Sequence, residues 1–317
     1  MKKKTSSSKI PVIVIFAPTA SGKTALTGDL FSPSGSHFVL NAEVISADSM
    51  QVYKYMDIGT AKADPEFCEK IPHHLINLVT PDVQFTVADF LKMADEKCEE
   101  IYTRGKLPVV VGGTGFYIRS FLFGLPETPE SDENLRNQLK SRIETEGNEI
   151  LYKELHSVDP ESASKIHVND AYRIVRALEV FYTTGKKRSD FIVEKNLRDK
   201  FDFLFIVLQP PRELLYERIR NRVDVMFQQG LVQEFNSLVE RGYSKDTPGM
   251  KAIGYSEFFE YEDIETVKDR IKHDSCKYAK KQYTYIKDFP GSVVVEFTAS
   301  DSDIKKVAEI ISDFVQN

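Results

Sequence analysis

The chain of 317 residues has no tryptophan, only three cysteines and no long apolar run. Cys68, Cys98 and Cys276 are far apart and lack metal-ligand spacing, which indicates reduced thiols in a cytosolic protein. No apolar run approaches the roughly 20 residues that cross a bilayer, so we expect no membrane segment. The chain also has fewer basic than acidic residues, 42 against 48. The net charge of -6 argues against a general polyanion binder, although a local basic surface can still dock RNA.

The N-terminus superficially resembles a secretory signal. The basic run Lys2–Lys4 precedes the apolar run Ile10–Ala17, and the four residues from Ala17 weakly resemble a cleavage site. Cleavage there would destroy the glycine-rich loop described below, whose spacing is far more specific, so we reject a signal peptide. Residues 1–9, which are mostly Lys and Ser, are predicted to form a disordered tail.

Apolar, β-branched runs alternate with helical patterns along most of the chain. Ile10–Phe16 is typical of a strand buried on both faces of a parallel sheet. Strands that alternate with helices imply a parallel α/β sheet, whose ligands collect at the carboxyl ends of the strands. Four more strands are predicted at 44–48, 107–111, 203–208 and 293–297, and helices are predicted from near Gly22, at 88–104 and at 212–222.

A glycine-rich loop joins the first predicted strand to the first predicted helix. It fits a phosphate-binding P-loop at every position except the first, where alanine replaces glycine, and its residues are Ala17, Pro18, Thr19, Ala20, Ser21, Gly22, Lys23 and Thr24. Backbone N–H groups and the helix N-terminus are expected to hold the phosphates of a diphosphate, with Lys23 on the terminal phosphates and the Thr24 hydroxyl on Mg²⁺. If Ala17 needs a positive φ, alanine costs roughly 1 kcal/mol. A structural turn is the alternative interpretation of the loop.

The stretch 126–200 is rich in charge, has no convincing strand and is predicted to be a helical insertion. Its clearest helix is Ala171–Thr184, which Asn169 or Asp170 can cap and Gly185 ends. We therefore predict an α/β fold with a P-loop NTPase-like parallel-sheet core, formed by residues 10–125 and 201–317. The mainly helical insertion domain is residues 126–200.

A P-loop alone fits a kinase, an ATPase or a GTPase. The base-reading Asn-Lys-x-Asp motif of GTPases is absent, and the strand at 107–111 ends in Gly-Gly-Thr rather than in the Asp of a usual P-loop ATPase. Instead, polar motifs fill the strand ends. With the loop, the segments 45–53, 56–62 and 111–117 closely resemble the tRNA dimethylallyltransferases of the IPP transferase family. The resemblance continues through 169–180, 253–255 and 279–285, and covers about residues 10–290.

The resemblance implies transfer of the dimethylallyl group of dimethylallyl diphosphate to N6 of adenosine 37, next to the anticodon of tRNA. N6 is a poor nucleophile because its lone pair is delocalised, so the reaction needs a base and stabilisation of the departing pyrophosphate. Asp48 is the candidate base, and a cap of the next turn or a water-mediated Mg²⁺ ligand is its alternative role. Thr114 is expected to bond the bridging oxygen of the diphosphate. Lys23 and Arg222 are expected to neutralise the pyrophosphate, with Arg218 as the alternative to Arg222.

The segment Lys277–Lys287 carries lysines and tyrosines but no acid, which fits an RNA surface, although a solvated helix face is the alternative. The family usually has arginine and tryptophan where Lys281 and Tyr285 stand, and lysine lacks the bidentate phosphate contact of arginine. The resemblance implies tRNA contacts by Asp48, Ser49, Met50, Gln51, Thr114, Arg136, Tyr172, Arg173, Arg176, Lys251, Gly254, Tyr255, Lys280, Lys281, Gln282 and Tyr285.

An adenine stacked in the anticodon loop cannot reach a buried diphosphate, so we expect it to be flipped out, with Ser49 and Gln51 reading it. Arg173 and Arg176 lie on one helix face, and ion pairs within the protein are their alternative role. The adjacent His73 and His74 are expected to be structural.

Three other functions stay open: an adenylate isopentenyltransferase that acts on free AMP, ADP or ATP, a small-molecule kinase, and an RNA-binding module without turnover. The insertion and the basic C-terminal segment favour an RNA acceptor. A monomer in the cytoplasm is expected.

Overall fold

A computed structural model describes residues 9–193, 196–286, 289 and 291–316. The predicted tail lies outside the described residues except for Lys9, and so does Lys287. In the described part of the chain, six strands form one sheet: β1 Ile10–Phe16, β2 Ala42–Ser46, β3 His73–His74, β4 Leu107–Gly112, β5 Phe201–Gln209 and β6 Val293–Glu296. Their order is β3-β2-β4-β1-β5-β6 and all neighbouring pairs are parallel, which confirms the predicted fold class.

The central strands are the ones with the longest apolar runs. β1 lies between β4 and β5, and its residues Val12–Phe16 are fully buried. A parallel sheet is covered on both faces, so its inner strands carry apolar residues at every position. β3 was not predicted because two residues at a sheet edge give no periodic pattern.

Helices connect these strands. In the described residues they are α1 Lys23–Phe31, α2 Pro65–Lys70, α3 Val87–Thr103, α4 Gly115–Phe123, α5 Glu133–Glu146, α6 Asn148–Val158, α7 Pro160–Lys165, α8 Ala171–Thr184, α9 Arg212–Gln228, α10 Leu231–Glu240, α11 Ile264–Ile286 and α12 Asp301–Gln316. α8 has the predicted bounds: Asp170 Oδ1 accepts a hydrogen bond from the Arg173 N–H at 3.2 Å, and Gly185 follows with a φ of 70°. Among the described helices, none has the length and apolar character of a bilayer span.

The chain divides into two compact units. The first, Met1–Leu122 together with Leu197–Asn317, contains the sheet. The second, Phe123–Asn196, contains α5 to α8 and has its own apolar core, built from Leu139, Leu151, Leu155, Ala163, Ile174, Val175, Ala177 and Leu178. The predicted insertion, 126–200, begins and ends a few residues later than this second unit.

Glu43 in β2 is a buried carboxylate at the edge of the sheet. Its oxygens contact His74 Nε2 at 2.6 Å, Arg104 Nη2 at 2.7 Å and Lys106 Nζ at 2.9 Å. Burial favours the neutral acid, but the hydrogen bonds from Lys106, His74 and Arg104 outweigh it and lower the pKa of Glu43 to about 2. The ring of the neighbouring His73 contacts a backbone oxygen at 2.6 Å, so both histidines make structural contacts.

The Glu43 carboxylate should stabilise the fold in a pH-dependent way. Because its pKa is lower in the folded chain than in the unfolded chain, its stabilisation is present above about pH 4.5 and is lost as the pH falls towards about 2. We expect Glu43→Gln to lower the free energy of unfolding by about 2 kcal/mol at neutral pH. Urea unfolding at a series of pH values measures this free energy. Glu100→Gln, at an exposed ion pair, should behave like the wild type, and a Glu43→Gln deficit that does not shrink in acid would contradict this account.

Candidate active site

A cavity of about 550 Å³ lies where the strands of the first unit end. The Ala17 N–H donates to Gly112 O at 3.2 Å and the Thr114 N–H donates to Ala47 O at 3.2 Å, which joins the ends of β1, β4 and β2. The predicted site residues that line this cavity are Thr19, Ala20, Ser21, Gly22, Lys23, Thr24, Asp48, Ser49, Met50, Gln51, Arg222, Lys251 and Gln282.

The backbone of the phosphate loop explains why alanine is tolerated at its first position. Ala17 is not in the left-handed region; the loop residues that are left-handed are Ala20, with a φ of 58°, and Gly22, with a φ of 94°. The side chain of Ala17 is fully buried in the apolar core beside the sheet. Ala17 does not need a positive φ, so the conditional cost at that position does not arise, and a cost of about 1 kcal/mol belongs to Ala20 instead.

Lys23 folds back onto its own loop. Its Nζ donates to Ala17 O at 2.9 Å and to Pro18 O at 2.7 Å. Burial lowers the pKa of Lys23 to about 7, and the nearby Arg222 adds to this effect while Asp48 opposes it. An anion bound at the loop would therefore stabilise the protonated form of Lys23.

Two buried polar atoms at the cavity have no hydrogen-bond partner among the described residues. They are Ser21 Oγ and Arg218 Nη1, while Arg218 Nη2 donates to Thr298 O at 2.6 Å. Native proteins pair nearly all buried polar atoms, so these two atoms have the capacity for a further partner such as water or a ligand. Arg222 Nη1 donates to Thr19 Oγ1 at 3.3 Å, which places a second guanidinium group at the loop. Arg218 and Arg222 thus share the cavity, and both are suited to an anion.

Asp48 lies at the end of β2 and uses one oxygen to shape the next turn. Its Oδ1 accepts from the Met50 N–H at 2.9 Å and from the Gln51 N–H at 3.3 Å. The capping role foreseen as an alternative is therefore real for Oδ1. None of the described residues donates to Oδ2, which leaves that oxygen for a ligand or a proton.

The Thr114 hydroxyl is held by a neighbouring turn. It accepts from the Ser49 N–H at 3.0 Å and lies 3.4 Å from Ser49 Oγ. Thr114 is not among the residues that line the cavity. Its contact with a bridging oxygen therefore stays a prediction.

Gln282 on α11 joins the phosphate loop to the end of β4. Its Oε1 accepts from the Thr19 N–H at 3.0 Å, and its Nε2 donates to Gly113 O at 2.6 Å. Gln282 is buried and both ends of its amide make contacts within the protein, while its predicted tRNA contact stays a prediction. The Tyr285 ring lies so close to Gly115 that a Cβ there would be 2.6 Å from it. Sequence spacing gives no signal for these contacts, which join residues more than a hundred positions apart.

Tyr255 and Gly254 also lie inside the protein. Tyr255 is fully buried and its hydroxyl donates to Glu234 Oε1 at 2.6 Å. The expectation that the Tyr255 side chain contacts tRNA is corrected by this burial. By contrast, Lys251, Lys280 and Lys281 are exposed, and Tyr278 beside the cavity is 36% exposed.

In the second unit, two predicted RNA-contacting arginines form ion pairs within the protein. Arg136 Nη2 and Arg176 Nη1 each lie 3.0 Å from Oε2 of the fully buried Glu179. Arg173 is exposed and lies 3.3 Å from Asp170, and Tyr172 is 73% exposed. The exposed pair on α8 is therefore the part of this group that a large ligand can reach.

The parallel sheet and the loop at its carboxyl edge define a P-loop-like α/β fold, and the cavity beside that loop is lined by cationic side chains. Residues 51–289 match the sequence profile of the IPP transferase family. The chain belongs to that family, as its motifs predicted.

Several tRNA dimethylallyltransferases are similar in sequence or structure to this chain over most of its length. The chain is 45% identical to tRNA dimethylallyltransferase 2 of Geotalea uraniireducens, over 89% of its length and 91% of the relative. It is 41% identical to the tRNA dimethylallyltransferase of Geobacter sulfurreducens, over 95% and 96%. A crystal structure of a eukaryotic dimethylallyltransferase acting on tRNA superposes with a TM-score of 0.80 at 31% identity, covering 98% of this chain and 80% of that one. The tRNA isopentenylpyrophosphate transferase of Bacillus halodurans gives 0.69 at 34% identity, covering 97% of each chain.

The lowered pKa of Lys23 predicts a proton-linked affinity for anions. The pKa of Lys23 is about 7 in the free protein. Binding of pyrophosphate at about pH 8 should raise this pKa, so that Lys23 takes up a proton on binding. Calorimetric titration in two buffers of different ionisation enthalpy measures the uptake. Lys23→Met should abolish it, whereas Lys251→Met, which removes an exposed lysine at the same cavity, should keep it. An undiminished uptake in Lys23→Met would disprove the assignment to Lys23.

Proposed function

We propose that the protein transfers the dimethylallyl group of dimethylallyl diphosphate to N6 of adenosine 37 in tRNA and releases pyrophosphate. The composition of the cavity carries this proposal: Asp48, whose Oδ2 has no donor among the described residues, shares it with Lys23, Arg218 and Arg222. A single base among several cations suits an alkyl transfer whose leaving group is an anion.

The proposed reaction assigns one task to each group. N6 of the adenine attacks C1 of the prenyl chain while the bond from C1 to the bridging oxygen breaks, and the electron pair leaves with the pyrophosphate. The proton lost by N6 goes to Asp48 Oδ2. Lys23, Arg218 and Arg222 stabilise the charge that develops on the leaving group, together with N–H groups of the loop. Thr114 is proposed to bond the bridging oxygen.

Mg²⁺ is proposed as the cofactor. Within the described residues there is no cluster of three His, Cys, Asp or Glu side chains that could hold a metal by itself. Mg²⁺ commonly binds through few protein oxygens plus substrate phosphates, and the exposed Thr24 hydroxyl at the cavity fits that arrangement. When bound, the ion would neutralise diphosphate charge.

A tRNA acceptor is favoured by the exposed cations and aromatics outside the diphosphate loop. Lys280 and Lys281 are exposed on α11, and Tyr172 and Arg173 are exposed on α8. Lysines suit RNA phosphates and tyrosines suit unstacked bases. The relatives named above are called tRNA dimethylallyltransferases, and a mononucleotide acceptor would leave these residues without a use. We further propose that the enzyme works as a monomer in the cytoplasm.

The direct test offers one donor and several acceptors. The protein is incubated with dimethylallyl diphosphate, Mg²⁺ and either unmodified tRNA with adenosine at position 37, its anticodon stem-loop, or AMP. We expect prenylated adenosine in digests of the two RNAs only. Product from AMP alone would indicate an adenylate enzyme, phosphoryl transfer from ATP would indicate a kinase, and tight tRNA binding without product would indicate a binding module.

The variant Asp48→Asn separates the proposed role of Asp48 as a base from its role as the cap of the next turn. The asparagine oxygen can still accept from the Met50 and Gln51 N–H groups, but the side chain cannot take the N6 proton. We expect kcat to fall by roughly 10²-fold to 10⁴-fold while tRNA binding persists. Asp246→Asn, at an exposed turn, serves as the control and should retain full activity. Loss of tRNA binding with kcat preserved would reassign Asp48 to recognition.

A further inference from the structure

Glu234 on α10 binds a row of backbone donors from a distant loop. Its Oε2 accepts from the Asp57 N–H at 2.9 Å and the Ile58 N–H at 2.9 Å, and its Oε1 accepts from the Gly59 N–H at 3.1 Å. Successive N–H groups of this kind form an anion-binding concavity, and here the anion is the protein's own carboxylate. None of the described residues forms an ion pair with Glu234, so these N–H groups are its main compensation.

Tyr255 closes this arrangement from the other side. Its hydroxyl donates to Glu234 Oε1 at 2.6 Å, and its ring lies against Gly59, where an added Cβ would be only 2.5 Å away. Gly254, with a φ of 102°, lets the chain turn beside Gly59 O. Glu234, Tyr255 and the backbone of Asp57–Gly59 are called the Glu234 cluster below.

The loop that the Glu234 cluster holds continues into the wall of the cavity. Gly59, Thr60 and Ala61 line it, as does Gln51. Gln51 Nε2 lies 3.4 Å from both Thr60 O and Ala61 O, and its Oε1 accepts from Ser46 Oγ at 3.1 Å. These contacts fix which way the Gln51 amide points. With the two Nε2 hydrogens directed at these carbonyl oxygens, one lone pair on Oε1 remains for a base edge, where it can accept from an exocyclic amine.

The same loop is held in a conformation that it would not adopt alone. Tyr55 and Ala61 have φ angles of 68° and 46°, which side chains disfavour. Lys62 is nearly buried, and its Nζ donates to Tyr53 O, Asp57 Oδ1 and Asn77 Oδ1 at 2.6 to 2.7 Å. Backbone held against its preference persists only where the surroundings over-determine it, and such sites cluster at functional positions.

The geometry points to Glu234 as a positioning residue for the acceptor: through Tyr255 and the loop it holds the Gly59–Ala61 wall and the Gln51 amide against a purine base that carries an exocyclic amine. This inference rests on the proposed function. Different contacts hold the diphosphate loop, namely those of Gln282, Lys23 and Arg222. The acceptor side and the donor side of the cavity therefore have separate supports.

The test measures the two sides separately in the full-length protein. In Glu234→Gln the amide keeps the size of the side chain, but its NH₂ group meets N–H donors in place of an acceptor oxygen. We expect kcat/KM for the anticodon stem-loop to fall by roughly tenfold to 100-fold, because small displacements of positioning groups have effects of that size. The affinity for pyrophosphate should stay at the wild-type value. Glu240→Gln, an exposed carboxylate on the same helix, is the matched control and should change neither quantity.

A second comparison separates positioning from a general loss of fold. If Glu234 acts through Gln51, the effects of Glu234→Gln and Gln51→Ala on RNA kinetics should be non-additive, because the second change removes little once the amide is misplaced. Should Glu234→Gln fail to fold, Gly59→Ala and Tyr255→Phe disturb the same cluster and are measured in its place.

Equal losses of RNA and pyrophosphate binding, or unchanged RNA kinetics in every folded variant, would overturn the inference. A wild-type protein without prenyl transfer would overturn the proposed function instead. In that case, direct RNA binding and pyrophosphate binding still report on the two sides of the cavity, and selective loss of RNA binding would still support the role of Glu234.

Discussion

Lys23, Arg218 and Arg222 are partly buried around a cavity whose lining, among the described residues, contains one carboxylate, Asp48. Removing cationic groups from water is costly unless opposite charge or hydrogen bonds replace the lost hydration. The lowered pKa values of Lys23 and Arg222 express that cost, and both arise mainly from burial. The cavity thus has more positive than negative side chains, and an anionic ligand would compensate the excess. Contacts from several parts of the fold hold these cations in place.

The parallel sheet is the first element that positions the cationic cavity. Because β1, β4 and β2 are parallel neighbours, their carboxyl ends meet, and the loop after β1 lies beside Gly112, Gly113 and Asp48. Gln282 then fixes the loop to β4 from a helix near the far end of the chain. An added Cβ at Gly113 would be 2.5 Å from Gln282 Nε2, so glycine is required for this close approach. The phosphate loop and the end of β4 are therefore joined by contacts that need no ligand.

Much of this site could be predicted because its signals are local. The apolar run of β1, the spacing of the phosphate loop and the acid after β2 each lie within a few residues, and the sheet then brings them together. What sequence reasoning could not supply are contacts between distant segments. Glu234 contacts residues about 175 positions away, and Gln282 contacts Thr19 at a separation of 263. The pattern of residue types also left open whether Ala17 needs a positive φ; the loop positions that have one are Ala20 and Gly22.

The resting position of Lys23 has a consequence for turnover. In the free protein its ammonium group already has two acceptors, Ala17 O and Pro18 O. When an anion leaves, Lys23 is therefore not left without hydrogen-bond acceptors, since these two oxygens of its own loop can accept from it. Release of product becomes an exchange of hydrogen-bond partners, and the loop can hold an anion during the reaction without retaining it afterwards.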